Sequence, residues 1–289
     1  MSNGSDFLQI YEKSVDAFYV YAPDYDVART FECGQCFRFE RNEESEFICE
    51  YHGVAHRRYM RFAKDKDGNL HIIGAPLDEV KSVWLHFLGL DRDYDIIKTQ
   101  ILADFDNHPF VKEAIDKTGG LRILSQERFE TLCSFILSQN NNIPRIKKLV
   151  EGLCERYGEK LPSGRYAFPT PKELAKASLT DLEGMKMGYR ARYIQNAALS
   201  VASGEVDLDA ITPENAEKTL LSMLGVGKKV AACIRLFAIE DYASFPVDVW
   251  VKRIIETRFC GKLDPEKTGR YGGIAQQYLF CYERELAEK

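Results

Sequence analysis

Apolar and polar positions alternate along the first hundred residues and then change period. From Ala28 to Glu40, ARTFECGQCFRFE sets Phe31, Cys33, Gln35, Phe37 and Phe39 on one side and Glu32, Cys36, Arg38 and Glu40 on the other. A period of two predicts a half-buried strand. EFICEYHGV and HRRYMRFAK read as further strands, and the Asp-Gly pair of KDKDGNLHIIG marks a turn between two strands. Such a meander predicts a twisted antiparallel sheet. Residues 78–90, DEVKSVWLHFLGL, recur instead at helical spacing through Val80, Val83, Trp84, Phe87 and Leu88.

After Gly119-Gly120 the helical period takes over. RFETLCSFILSQ and IPRIKKLVEGLCERYG are amphipathic segments flanking the polar run Gln139-Asn140-Asn141-Asn142, which predicts a turn. Further helices are expected at 171–178, 189–203, 213–223, 228–239, 248–259 and 267–288. The fold class is α+β, with a β-rich part over 1–118 that also holds helices and an all-α part over 119–289. The length of 289 residues fits two domains at roughly 100–200 residues each. No apolar run approaches the ~18 residues of a membrane span. MSNGSDFLQIYEKSVD lacks the charged-then-apolar order of a secretory signal, so reduced thiols and a cytosolic setting are expected.

Charge and cysteine spacing narrow the chemistry. The net charge is −5, but residues 1–118 carry 14 Lys/Arg against 22 Asp/Glu, whereas 119–289 carry 25 against 22. A nucleic-acid surface belongs in the second part. The eight cysteines include one CxxC, Cys33-Gly-Gln-Cys36, read as a strand position; no four have zinc or iron–sulfur spacing. All five histidines precede residue 109, which excludes a histidine-based catalytic triad within the helical part. His52 and His56 lie four apart in strand-like sequence, where that spacing does not converge on a metal, and read as surface residues.

The most informative stretch runs from Glu217 to Phe259. Leu224-Gly225-Val226-Gly227 reads as a tight turn between two helices, the second starting near Lys228 with its free N–H groups facing outward as a phosphate site. Lysine at a helix start opposes the dipole, so Lys228 and Lys229 are expected to be pulled toward the neutral, nucleophilic amine. Asp248, after Pro246-Val247 and before VWVKRIIETRF, fits an N-cap that favours its carboxylate form. An amine and a carboxylate at two helix starts suit chemistry that develops positive charge; a solvated lysine pair and a structural cap are the plain alternative.

Leu221 to Trp250 resembles the helix–hairpin–helix and Gly/Pro…Asp signature of base-excision DNA glycosylases, and the whole chain resembles the 8-oxoguanine DNA glycosylase/AP lyase family. The resemblance implies an N-terminal sheet domain joined to a helical domain, with a monomer acting on double-stranded DNA containing 8-oxoguanine and no membrane association. It makes Lys229 the nucleophile that attacks C1′, expels the base and forms a Schiff base ahead of β-elimination, and Asp248 the carboxylate that stabilises positive character at the sugar. CGQCFR resembles the motif whose glycine carbonyl, here Gly34, accepts N7–H of 8-oxoguanine. Cys233 and Phe280 resemble the faces that sandwich the flipped base, and Gln276 the reader of its Watson–Crick edge.

The same resemblance assigns Asn140 to the vacated stack, Arg145 and Arg190 to the orphaned cytosine, Tyr189 to a wedge, and Gly225, Gly227, Val230 and Trp250 to the DNA backbone. It implies no cofactor and no iron–sulfur cluster, although backbone carbonyls of Leu221, Met223 and Val226 are placed to hold a monovalent or calcium ion. Two positions depart from the pattern: Leu224 stands where proline is usual, and Trp250 where histidine often faces a phosphate. A non-catalytic DNA-binding module needs none of Lys229, Asp248 or the base-pocket set. The endonuclease-III and adenine types carry a four-cysteine motif that is absent here, and the alkylated-base type lacks the hairpin lysine. The setting implied is cytoplasm and nucleoid in a prokaryote, or the nucleus in a eukaryote.

Overall fold

The computed structural model describes residues 8–287. Six strands form one antiparallel sheet: β1 (Ile10–Ser14), β2 (Ala17–Tyr21), β3 (Phe39–Arg41), β4 (Cys49–Ala55), β5 (Arg58–Lys64) and β6 (Asn69–Ile73), in the order β1-β2-β6-β5-β4-β3. The strands expected from 46–54, 56–64 and 64–74 are therefore present. The stretch read as a strand from Ala28 to Glu40 is different. Asp26 caps a helix, α1 (Val27–Glu32), by accepting the Arg29 N–H at 2.9 Å. The chain then turns at Gly34 with φ +84° and only Phe39 onward pairs in the sheet. Cys36 and Arg38 are buried along with Cys33, Gln35 and Phe37, so the apparent alternation came from a helix followed by a turn that is buried on both sides.

The helical segment over 77–87 comprises α2 (Leu77–Glu79), a π-helical turn (Val80–Trp84) and α3 (Leu85–Phe87). The wider turn shifts the buried set: Leu85 enters the core and Val83 remains at its edge. Trp84 packs against Phe62 and Phe87, which with Phe31 and Phe39 form the aromatic centre of the sheet core. His52 and His56 are half-buried rather than surface residues, and His56 stands edge-on to Trp84 and Phe87.

The helical part comprises α4 (Tyr94–Asp104), α5 (Pro109–Thr118), α6 (Arg128–Ser138), α7 (Ile143–Tyr157), α8 (Pro171–Leu174), α9 (Leu179–Gly184), α10 (Arg190–Ala202), α11 (Pro213–Leu221), α12 (Lys228–Ala238), α13 (Val249–Arg258) and α14 (Gly272–Ala287). Buried residues of α4 and α5 belong to this helical core, as do Cys33 and Phe37 from the turn after α1. The last helix starts at Gly272, after a short 3-10 turn, rather than at 267; residue 288, its expected end, lies outside the described residues. Among the described residues no helix is long and apolar enough to cross a membrane.

A charged cluster ties the end of α12 to the sheet side. His86 hydrogen-bonds Asp91 and pairs with Glu240, each at 2.6 Å, while Arg92 lies over the Tyr242 ring and reaches Glu240 at 3.7 Å. The bonds to Asp91 and Glu240 push His86 up to about 9. Burial works against ionised Glu240, yet the His86 bond holds it down at about 2. A histidine raised on folding contributes stability in full below its unfolded value near 6.5 and loses that contribution as pH rises through about 9. Urea unfolding from pH 6.5 to 9.5 is expected to show native stability falling relative to His86→Gln; parallel curves would remove this latch.

Candidate DNA-processing site

One cavity gathers residues from several separate parts of the chain. The turn after α1 supplies Cys33, Gly34 and Phe37, α6 supplies Phe135 and Ser138, α12 supplies Lys229, Cys233 and Phe237, and α14 supplies Gln276, Gln277, Phe280 and Arg284. Asp248 and Pro246 border the same space. Both catalytic candidates and all four base-reading candidates from the sequence thus meet at one place.

Gly34 occupies the left-handed region at φ +84°, where a side chain is strained even though open space surrounds its Cα. Among the described residues no hydrogen bond reaches its carbonyl. The neighbouring Gln35 is fully buried and fixes this turn. Its Nε2 donates to the carbonyls of Thr30 at 2.7 Å and Arg122 at 2.8 Å, while its Oε1 accepts the Leu124 N–H at 2.8 Å. Its own carbonyl accepts from Gln126 Nε2 at 2.8 Å. Sequence reasoning set Gln35 on the apolar side of its run but gave it no role, because its bonding partners at Arg122 and Leu124 are distant in sequence. Burial pushes the Cys33 thiol up to about 12 and Cys36 higher still, so this CxxC is a packed pair of protonated thiols.

Two lysines follow the hairpin, and burial tells them apart. Lys228 is exposed, whereas Lys229 is half-buried on the cavity wall. The Lys229 amine lies 5.2 Å from the centre of the Phe135 ring, a cation–π distance, and Cys233 lines the same wall one helical turn on. Burial raises the Cys233 thiol while the adjacent Lys229 pulls the other way, so the thiol stays protonated as a neutral partner. Phe135 stacks on Phe237 at 5.4 Å and meets Phe37 edge-on at 5.7 Å, which makes an aromatic floor. Asp248 caps α13 by accepting the Val251 N–H at 2.9 Å, as its sequence context predicts. One carboxylate oxygen is thereby held, and the group faces the space bordered by Lys229.

The hairpin glycines do different jobs. Gly225 has φ +85° and packs so tightly that a Cβ would come within 2.3 Å of the Tyr193 ring. Gly227 is the N-cap of α12 at φ −93°, with open space around it and no side-chain cap on the helix. The first N–H groups of α12 therefore face outward past a residue without a side chain, the arrangement that receives a phosphate. Val230 is 3% exposed, and its side chain belongs to the core. This corrects its place among the DNA contacts: only its backbone N–H is positioned at the helix start. Trp250 lies in the first turn of α13, half-buried.

The remaining candidates lie around Gln139. Asn140 takes φ +45°, is exposed, and donates to the Tyr189 hydroxyl at 3.4 Å; Tyr189 is 49% exposed. Arg145 is exposed and donates to the Lys186 carbonyl at 2.9 Å. Arg190, assigned with Arg145 to the orphaned cytosine, is buried and already engaged. Its guanidinium donates to the carbonyls of Gln139, Asn140 and Met187 and braces the turn that presents Asn140. Gln139 Nε2 in turn donates to the Gly225 carbonyl at 3.0 Å, so the turn, Tyr189 and the hairpin form one connected face. Nothing in a run of polar residues singles out Gln139; its role appears only when the hairpin packs against it.

The chain matches the family described as 8-oxoguanine DNA glycosylase, N-terminal domain, over residues 18–132 and the HhH-GPD superfamily of base excision DNA repair proteins over 133–270. It is similar to Clostridium acetobutylicum 8-oxoguanine glycosylase/lyase, solved with double-stranded DNA containing cytosine opposite 8-oxoguanine. That similarity has a TM-score of 0.87 and 34% identity, and covers 98% of this chain and 99% of that one. An N-glycosylase/DNA lyase of Arabidopsis thaliana is 31% identical over 283 residues, which span 88% of this chain and 76% of that protein. An N-glycosylase/DNA lyase of Saccharomyces cerevisiae is 37% identical over 153 residues, spanning 47% of this chain and 41% of that protein.

The two glycines give a paired test. Gly225→Ala is expected to lose about 1–3 kcal/mol from backbone strain alone, more once Tyr193 is displaced, whereas Gly227→Ala costs under about 1 kcal/mol. Gly227→Ala nevertheless weakens duplex binding, because its methyl occupies the approach to the α12 N-terminus. Urea melts and fluorescence anisotropy separate the two effects. Equal destabilisation, or unimpaired binding by folded Gly227→Ala, would refute this division.

Proposed function

The chain belongs to the 8-oxoguanine DNA glycosylase family of the helix–hairpin–helix superfamily, and from that membership and the cavity around Lys229 we propose how its residues act. The protein is a bifunctional DNA glycosylase and AP lyase of base excision repair that removes 8-oxoguanine from duplex DNA. We propose a preference for lesions opposite cytosine. The observation that carries the reading is the meeting of Lys229, Asp248, Gly34, Cys233, Gln276 and Phe280 at one cavity drawn from both parts of the chain.

A base stacked in a duplex hides both C1′ and its own edge, so the nucleotide must leave the stack. In our reading Gly34 accepts N7–H, which 8-oxoguanine has and guanine lacks, and Cys233 and Phe280 cover the two faces of the base. Gln276 reads the Watson–Crick edge. The Lys229 amine attacks C1′ as the C1′–N9 bond breaks, and the electron pair leaves with the base. The resulting aminal opens to a Schiff base, loss of a C2′ proton follows, and the 3′ phosphate leaves by β-elimination. Asp248 faces the positive charge that develops at the sugar.

On the opposite strand we propose Asn140 for the vacated space, Tyr189 for the wedge and Arg145 for the cytosine, with Arg190 supporting the turn from behind. Gly225, Gly227, the Val230 N–H and Trp250 contact the backbone. The Leu221, Met223 and Val226 carbonyls would hold a monovalent or calcium ion, since such cations take oxygen ligands. The Met223 carbonyl accepts the Val226 N–H at 3.1 Å and keeps a second lone pair for that purpose. The chemistry itself uses no cofactor or iron–sulfur cluster. The working form is a monomer, and its setting is the nucleoid of a prokaryotic cell or the nucleus of a eukaryotic one.

The test is single-turnover release of 8-oxoguanine from duplexes with each of the four opposite bases. Cytosine is expected to give the fastest release. Lys229→Gln should lose at least about 10³-fold, in line with removal of a nucleophile, while Lys228→Gln keeps base release and loses only duplex affinity. Base release by Lys229→Gln at a comparable rate would overturn the assignment.

A further inference from the structure

The pocket contains one buried group that this reading leaves without a role. Gln277 follows Gln276 on α14, lines the same cavity and is 5% exposed. Its Nε2 donates to Gln276 Oε1 at 2.7 Å, and its own Oε1 is closed off from solvent with no hydrogen-bond partner among the described residues. Buried amide oxygens are seldom left unpaired, because desolvation is costly unless a donor replaces water. The side chain that carries this acceptor lines a cavity proposed to receive a base.

The chemistry of the base identifies the donor. A carbonyl that accepts N7–H selects 8-oxopurines over ordinary purines, but 8-oxoadenine carries the same N7–H. Oxidised guanine and adenine differ along the Watson–Crick edge, where guanine offers O6 as an acceptor and N1–H and N2–H as donors. A site that reads it needs one donor and two acceptors in sequence. The bonded amide pair provides them: Gln276 Nε2, the second lone pair of Gln276 Oε1, and Gln277 Oε1. The bond from Gln277 also fixes the orientation of the Gln276 amide.

We propose that Gln277 is a specificity-determining residue that accepts the 2-amino group of the flipped oxopurine, making a tandem reader with Gln276. This rests on the base pocket proposed above. Adjacent glutamines in AQQYLF look redundant in sequence, since neighbouring helical residues diverge by about 100°. Here both line one cavity because α14 is buried along that stretch.

The experiment compares single-turnover release of 8-oxoguanine with release of 8-oxohypoxanthine, which lacks only the 2-amino group, each opposite cytosine. The unsubstituted protein is expected to favour 8-oxoguanine by about tenfold, the scale of one buried hydrogen bond. Gln277→Met, similar in size but without an acceptor, slows 8-oxoguanine release and closes the gap between the two substrates. Gln277→Glu loses the bond to Gln276 and so slows release of both bases, but it keeps an acceptor for the 2-amino group and with it the preference. A duplex with a tetrahydrofuran abasic-site analogue, which offers no base to read, binds both variants normally and reports on folding. If Gln277→Met slows both substrates by one factor, or leaves the gap intact, Gln277 only supports the helix and the proposal falls. If Gln277→Met fails to fold, loss of preference in Gln277→Glu overturns it. Release of neither base by the unsubstituted protein would overturn the pocket reading and this assignment with it.

Discussion

In the proposed reaction the Gly34 carbonyl and the Lys229 amine, from distant parts of the sequence, act on one nucleotide, so both must be held in place. The buried amide of Gln35 imposes this constraint. Its bonds to Thr30, Arg122 and Leu124 join the turn after α1 to the segment leading into α6. Leaving such buried partners unpaired costs about 1–3 kcal/mol each, so the turn has little freedom to drift from the helical core. Arg38, four residues after Gly34, adds ion pairs with Glu151 at 3.0 Å and Glu130 at 3.7 Å. Burial raises Glu130 to about 7 despite that arginine, which makes this anchor more dependent on its partner than a surface pair. Phe37 then meets Phe135, and Phe135 meets Lys229, so the two ends are connected through contacts between rigid groups.

The DNA-facing side is organised by the same economy of shared partners. Gln139 links the hairpin through its side chain and the Arg190 brace through its carbonyl. A shift at the hairpin is therefore felt at Asn140 and Tyr189. In the proposed reaction the elements that address the glycosidic carbon and the opposite strand are thus bonded to one another, which suits base extrusion coupled to stack filling.

Much of this was legible in the sequence, for reasons that differ by residue. Asp248 was readable because N-caps depend on local sequence, and its bond to Val251 follows from that alone. The longer helices from Arg128 onward were readable because one buried face imposes a 3.6-residue period, whereas α8 stops at Leu174 rather than 178 and the short α9 was not foreseen. The 28–40 stretch misled because a short helix and a left-handed glycine turn, both buried, imitate alternation over a few residues. Arg190 and Val230 were readable as to type but not as to exposure, since burial is set by α6, α10 and α12 packing across long sequence separations. The roles of Gln35 and Gln139 were invisible because their amides bond to partners distant in sequence, and that of Gln277 because no local pattern records which helical residues line a cavity.

In the proposed reaction a single amine, that of Lys229, becomes covalently attached to the lesion-bearing sugar. Borohydride reduction during turnover of an 8-oxoguanine duplex, followed by peptide mass spectrometry, detects that bond. One adduct is expected, on Lys229, formed only when the lesion is present. An adduct on Lys228 or another lysine, or base release with no trapped adduct, would contradict it.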